Sequence, residues 1–293
     1  MIVVTLQGGL GNQMFQYACG KALALRHEQP LYMDASFLQQ NQHTTDEFTP
    51  RNYELDAFDL KTPFVSDGVL DRFKKDSIIK KIKKGLHLPY PKCYTENQAA
   101  NAGQLDNITF PILLNGYWQS EQYFAAYRQV IRKLFAFGNI PESLNELMVE
   151  IGRTNAVSVH YRRGDYLTNP VAVKVLGPLA DDYYQSAIQK ISELFKDPFF
   201  YIFSDDPAWV KDNFCLTENY RVVHETAGGK AWYDMLLMSR CKHHIIANSS
   251  YSWWGAWLNE QAGKVVVAPK RWFAQEDFNE NTSNIIPGDW HRV

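Results

Sequence analysis

AVSVHYRRGDY, residues 156–166, decides the fold: six residues suited to a buried strand break at once into two arginines, a glycine and an aspartate. A short uncharged run that ends this abruptly is the form of a strand covered on both faces, with its carboxyl end opening onto polar chemistry. Four similar runs follow, FFYIFS (199–204), YRVVH (220–224), HHIIAN (243–248) and KVVVA (264–268). Between the first two strands Tyr184, Ile188, Ile191 and Phe195 fall at i, i+4, i+7 and i+11, one stripe of a helix. Asp206-Pro207 supplies an N-cap and a proline at the first helical position for a second helix over 207–214. Strands alternating with helices predict a parallel sheet flanked by helices.

The same reading extends backwards. A strand at 2–6, a glycine-rich turn at 7–11 and a helix over 12–27 make another βα unit, while 35–115 mixes polar loop-like segments with a basic stretch and is assigned only as α/β. At 293 residues two domains are expected, taking about 150 residues for each. The boundary is expected within 138–155, near Gly138-Asn139-Ile140-Pro141, and we take 1–145 as an acceptor-side domain and 146–293 as the nucleotide-binding one.

Ligands of open α/β sheets bind beyond the carboxyl ends of the strands. After the strand at 156–161 stand Arg162, Arg163, Gly164 and Asp165; after 199–204 stand Asp205 and Asp206; after 243–248 stand Ser249 and Ser250, opening a helix. Adjacent arginines suit a pyrophosphate, because a permanently charged guanidinium meets phosphate oxygens as a fork. Arg163 points to the opposite side from Arg162 and serves either the phosphate or an ion pair with Asp165. Ser249 and Ser250 offer hydroxyls and amides to an anion, or simply cap their helix.

Other nucleotide loops fail on particular letters. Gly8-Gly9-Leu10-Gly11-Asn12-Gln13-Met14 lacks the third glycine of a dinucleotide fingerprint, Met14 standing there, which disfavours an oxidoreductase and leaves it a distant third reading. Gly20-Lys21 is followed by Ala22, and Phe15 holds the place of the first glycine of a phosphate-cradling loop. No Asp-x-Asp occurs, and the adjacent His243 and His244 would face opposite sides of a strand, so we expect no metal and no cofactor. The arginines must then stabilise a leaving diphosphate themselves.

A net charge of −2 gives no general attraction to nucleic acid. RFKKDSIIKKIKK (72–84) is the local exception, with seven basic residues against one acidic. It reads as one basic amphipathic helix with Phe73, Ile78, Ile79 and Ile82 facing inward. Its charged side is either a solvated face or a contact with an anionic membrane or a phosphate-bearing acceptor lipid. Cys19, Cys93, Cys215 and Cys241 form no C-x-x-C pair, and no apolar run approaches a membrane span, so a cytoplasmic location is expected. Asn-x-Ser/Thr matches at Asn107, Asn248 and Asn281 are then chance. Trp118, and the Trp253–Trp257 pair at i, i+4, are read as core rather than sugar platforms.

Five segments in order, QGGLGNQMFQYA (7–18), GYWQSEQYF (116–124), HYRRGDY (160–166), FSDDPAWVK (203–211) and ANSSYSWWGAWLN (247–259), resemble the inverting fucosyltransferases of glycosyltransferase family 11, chiefly bacterial α-1,2-fucosyltransferases. The resemblance implies a GT-B type α/β fold, two Rossmann-like domains facing a cleft, and GDP-fucose as donor. It implies that Arg162 contacts the β-phosphate and that His160 lies against the nucleoside. Asp234 would accept hydrogen bonds from guanine, and Ser249 and Ser250 would complete the phosphate site, with Asp205 nearby. Asn12 and Gln13 would face the fucose. Displacement by an acceptor hydroxyl would invert the anomeric carbon, with Arg162, His160 and Asp165 as candidate catalytic groups; Asp165 is either a base or a clamp on the arginines. The acceptor would be an oligosaccharide or lipid-linked glycan of a bacterial surface polymer. An α-1,3 linkage, and a non-catalytic carbohydrate-binding protein on the same fold, are the competing readings.

Overall fold

The computed structural model describes the chain except residues 44, 46–48, 97–101, 216–218, 225, 227–228, 277–278 and 280–283, and the side chains at 102, 104, 165 and 168. It divides into two compact units, Met1–His43 with Pro50–Ala136, and Thr44–Thr49 with Phe137–Val293. The division therefore falls just ahead of Gly138.

In the first unit β1 (Ile2–Thr5) leads through a tight turn into α1 (Leu10–Arg26), then β2 (Leu31–Asp34) and the short α2 (Ser36–Gln40). Gly8 sits at φ +73°, and a Cβ there would come within 2.4 Å of Asn12 Nδ2, so glycine is the residue this turn accepts. The segment expected as one basic helix is two, α3 (Asp67–Lys74) and α4 (Ile78–Gly85), separated by Lys75-Asp76-Ser77. Phe73 packs with Leu70 against Val3 and Leu113, as expected, but Ile78, Ile79 and Ile82 are exposed rather than inward. The break carries the second half of the segment away from the sheet. Beyond it β3 (Lys92–Thr95) and β4 (Ile112–Asn115) fill the stretch that sequence left as undivided α/β, and α5 (Arg128–Leu134) closes the unit. The sheet is wholly parallel in the order β2-β1-β4-β3.

The second unit begins with α6 (Asn145–Arg153) and β5 (Ala156–Tyr161), followed by α7 (Gly164–Thr168), α8 (Pro170–Val175) and α9 (Asp181–Leu194). Then come β6 (Phe199–Ser204), α10 (Pro207–Asn213) and β7 (Tyr220–Val222). The chain continues through α11 (Trp232–Arg240), β8 (His243–Ile245), α12 (Ser250–Leu258), β9 (Val266–Ala268) and β10 (His291–Arg292). Two expected strands are matched end to end, the last three are trimmed, and the Asp206 cap is present, its carboxylate accepting from Trp209 N at 3.2 Å. Phe195 ends its helix as the C-cap and packs on the core.

The sheet order β10-β9-β8-β5-β6-β7 is parallel throughout. The chain winds outward from β5 to β7, returns to the other flank of β5 with β8, and winds outward again. The strand order therefore reverses between β5 and β8, where α/β sheets hold their ligands. In the first unit the corresponding reversal lies between β1 and β4.

Both adjacent histidines are spent on structure. His244, fully buried, joins Ser158 Oγ to its Nδ1 at 2.8 Å and Asn259 Nδ2 to its Nε2 at 2.8 Å, while His243 Nδ1 accepts from Val265 N. Burial holds the His244 pKa well below 6.5. His244→Ala, which removes the buried partner of Ser158 Oγ and leaves Asn259 Nδ2 with Cys241 O alone, is expected to destabilise the protein by about 1–3 kcal/mol, read as the shift in urea midpoint. Because the folded-state pKa is depressed, the neutral ring's contribution is full above pH 6.5 and is lost as pH falls.

Trp253, Trp254 and Trp257 are core, as is Trp118; Trp253 and Trp257 stack at 6.0 Å, and Trp253 Nε1 donates to Ile285 O. Asn248 is buried and its amide donates to the carbonyls of Leu176, Gly177 and Trp272, which makes it a structural asparagine; Asn281 lies outside the described residues. Among the described residues no helix is long and apolar enough to cross a membrane.

Candidate active site

The end of β5 is built around Asp205. Ser204 Oγ donates to Tyr161 O at 2.6 Å and accepts from Asp206 N, stapling the ends of β5 and β6. The staple brings Asp205 under the β5–α7 turn, where its Oδ1 accepts from Arg163 N at 2.9 Å and its Oδ2 meets Arg162 Nη1 at 2.7 Å. The fit is close enough to define the next residue: a Cβ on Gly164 would stand 2.0 Å from Asp205 Oδ2. Gly164→Ala is expected to displace this carboxylate and lower activity at least about tenfold, with a melting temperature that falls far less than a failure to fold would require.

Arg162 is also steered by Tyr166, whose ring centroid lies 5.2 Å from the guanidinium carbon. Tyr166 is buried and donates to Asn248 O, tying α7 to the end of β8. Arg162 is thus fixed by a carboxylate and an aromatic face at the β5/β8 reversal. Arg163 diverges from it in the turn after β5. Its guanidinium stacks 3.3 Å above Trp209, and its Nε lies 3.7 Å from Asp206 Oδ2. Arg163 therefore meets Asp206 and packs on α10 rather than beside Arg162, while the ion pair expected with Asp165 falls on a side chain that is not described. The side chain of Asp165 lies outside the described residues.

His160 is buried, and its carbonyl accepts from Tyr184 OH at 3.1 Å. Burial, and then the charge of Arg162, push its pKa down to about 3. The ring is consequently neutral at ordinary pH. Its Nδ1 is buried without a hydrogen-bond partner among the described residues.

Tyr251, in the first turn of α12, lies with its ring 5.8 Å from that of His160. Its hydroxyl accepts from Met235 N at 3.0 Å and donates to Ala231 O, so it joins the β5 end to the start of α11. Asp234 stands there. Burial raises its pKa to about 6 against the opposing effect of a Thr226 hydrogen bond, and its Oδ1 is buried without a partner among the described residues. Two orphaned polar atoms, one on His160 and one on Asp234, thus flank a tyrosine that links their elements. Unpaired buried polar atoms are expensive to maintain, and a ligand, a water or an ion can complete their bonding. Ser249 caps α12, its Oγ accepting from Tyr251 N at 3.3 Å, and Ser250 is the first residue of that helix.

In the first unit the two leading motifs meet at the β1/β4 reversal. Gln119 Nε2 donates to Asn12 Oδ1 at 2.7 Å, and Glu96 accepts from Tyr117 N and Trp118 N, holding the turn after β4. Gln13 is a correction to the sequence reading. It is wholly buried, its amide donating to Gly8 O and Asn52 O and accepting from Glu54 N, so it shapes the glycine turn and has no face left for a sugar. Among the described residues no group of three or more His, Cys, Asp or Glu side chains is arranged to hold a metal.

Sequence reasoning did not single out Tyr251, Tyr166 or Gly164 as site-forming residues. Tyr166 and Gly164 lie in the quoted segment HYRRGDY and Tyr251 in ANSSYSWWGAWLN, but their roles depend on contacts between elements, which no local spacing encodes.

Residues 63–292 match the family model described as Glycosyl transferase family 11. An alpha-1,2-colitosyltransferase of Escherichia coli is 33% identical over 298 residues, spanning 100% of this chain and 99% of its own. A galactoside 2-alpha-L-fucosyltransferase, SEC1 of Bos taurus, is 36% identical over 270 residues, 88% of this chain and 64% of that protein. Among solved structures, a point mutant of Arabidopsis thaliana FUT1 in complex with GDP superposes with a TM-score of 0.52 at 12% identity, over 91% of this chain and 70% of that one. That likeness gives the fold, the α/β GT-B type with a parallel sheet in each unit.

Proposed function

The chain belongs to glycosyltransferase family 11, and from that premise we propose that it transfers L-fucose from GDP-L-fucose to the 2-hydroxyl of a terminal β-galactoside. The observation that carries the donor is the pair of buried, unpartnered atoms, His160 Nδ1 and Asp234 Oδ1, joined through Tyr251 beside the fixed Arg162. A guanine offers two adjacent N–H groups to a carboxylate, whereas adenine and uracil each offer fewer on the matching edge. Guanosine diphosphate supplies both the donor for Asp234 and the anion for Arg162. The named galactoside fucosyltransferase relative supports the sugar, the acceptor and the linkage.

In the reaction the acceptor oxygen attacks the anomeric carbon as the bond from that carbon to the β-phosphate oxygen breaks. The bonding pair leaves on GDP, and the acceptor proton passes to solvent or a base. Arg162 meets the charge that grows on the diphosphate, and Asp205 keeps it in place. Direct displacement inverts the configuration. The absence of Asp-x-Asp from the sequence supports catalysis by guanidinium rather than by a divalent cation. A cytoplasmic setting fits the four cysteines, all free, with Cys19 and Cys241 buried as thiols.

A second donor is favoured by a specific observation, the colitosyltransferase relative that spans the whole chain. Colitose is fucose without the 3-hydroxyl. The test offers GDP-fucose and GDP-colitose side by side with lactose, and reads GDP release with and without EDTA. Acceptor-dependent release from GDP-fucose, unchanged by EDTA, is the expected result. Preference for GDP-colitose replaces the sugar but keeps the mechanism, and release that requires an added cation overturns the metal-free step.

A further inference from the structure

Helix α4 is turned inside out. It buries none of its residues, and Ile78, Ile79 and Ile82 are 78%, 67% and 55% exposed, with Leu86 just beyond it at 63%. At 100° per residue these four share one arc of the helix. Lys81 and Lys83 border that arc on either side. Lys80, on the opposite side, folds back onto the protein, its Nζ donating to Phe73 O at 3.3 Å and lying 3.6 Å from Asp76 Oδ1. The helix therefore holds its own unit with a lysine and displays its apolar stripe. The preceding α3 is pinned by Leu70 and Phe73 in the core, and Ser77 caps α4, accepting from Lys80 N at 3.1 Å.

We propose that α4 is a docking surface for an anionic lipid bilayer, with its isoleucines entering the headgroup boundary and the flanking lysines meeting lipid phosphates. Charge selects this occupant: α4 itself carries four lysines and no acidic residue, and Lys81, Lys83 and Lys84 remain once Lys80 has folded back towards Asp76. A second copy of the chain would bring two rows of lysine together, and like charges in contact repel. An apolar stripe edged by lysines is the pattern that lies flat in a membrane interface. The inference is independent of the donor and of the linkage. It would place the acceptor-bearing surface and the enzyme in one plane.

The test is sedimentation of the full chain with vesicles of phosphatidylcholine, with and without phosphatidylglycerol. Binding to the anionic vesicles is expected to be at least about tenfold tighter than to neutral ones and to weaken with salt. An Ile78→Ser, Ile79→Ser, Ile82→Ser variant, and separately a Lys81→Glu, Lys83→Glu, Lys84→Glu variant, should lose it while turning over a soluble acceptor at the parent rate. No binding to anionic vesicles overturns the proposal, as does a serine variant that binds undiminished. A parent chain that is dimeric in solution, and a serine variant that is monomeric, would assign the stripe to a second copy instead and overturn it equally.

Discussion

Arg162→Ala is expected to lower kcat/KM for the GDP-sugar about a thousandfold or more, mostly in kcat, because the group removed acts on charge that develops only as the diphosphate leaves. The guanidinium is held from two directions, by Asp205 Oδ2 at 2.7 Å and by the Tyr166 ring, so its position is set before substrate arrives. Such preorganisation makes a single cation effective, since nothing has to be reorganised during the reaction. Arg162→Lys keeps the charge but loses the planar fork, and is expected to recover a small part of the rate only. Removing Arg162 also leaves Asp205 without its ion pair, so the comparison needs Asp205→Asn, which frees the arginine without deleting it. That variant should fall between the parent and the alanine form. If Arg162→Ala turns over within tenfold of the parent while folded, the leaving group is stabilised elsewhere and the assignment of this arginine fails.

The sequence reading that leads to this residue is strongest where local pattern and tertiary role coincide. Ala156–Tyr161 and Phe199–Ser204 are buried throughout or nearly so, and a strand covered on both faces must be uncharged along its whole length, which is visible in one dimension. The reversal between β5 and β8 is not visible in this way, because strand order depends on which flank of β5 the chain returns to. The motifs at the strand ends stand in for it: HYRRGDY and ANSSYSWWG are far apart in the chain and adjacent in the sheet. Region 35–115 resisted reading for a related reason. Its strands β3 and β4 are four residues each, too short to show alternation against the loops around them.

Polar side chains were the harder part. Gln13 and Asn12 are neighbours in one motif, yet Gln13 is consumed by three backbone groups while Asn12 pairs with Gln119. Both read alike as polar residues after a glycine turn. Only burial separates them, and burial at a helix start is decided by the loop that folds across it, here Asn52–Glu54. Arg162 and Arg163 are separated by geometry alone, the turn after β5 leading one to Asp205 and the other to Trp209.

Asp234→Asn is expected to raise the KM for the donor about a hundredfold, with a smaller change in kcat, because a charged acceptor for two base N–H groups is lost at ~3 kcal/mol. The pH dependence gives the stronger test. Burial raises the carboxyl to about 6, so it is ionised at neutral pH and protonates within reach of mild acid. Parent affinity for GDP should be flat above about pH 7 and fall roughly tenfold by about pH 5, and the asparagine variant should show no such limb. Stability runs the other way. The folded pKa lies above the ordinary 3.8, so the native state holds its proton longer than the unfolded chain does; stability is lost as pH rises from about 4 through 6 and stays lost above. Asparagine removes that penalty. The variant should therefore melt about 2 °C or more above the ligand-free parent at pH 7, with the difference vanishing near pH 4. Saturating GDP should raise the parent's melting temperature more than the variant's, since the ligand completes the orphaned oxygen in one and finds no carboxylate in the other. A variant that melts lower at neutral pH, with GDP affinity intact, would make Asp234 an ordinary structural carboxylate and move base recognition elsewhere.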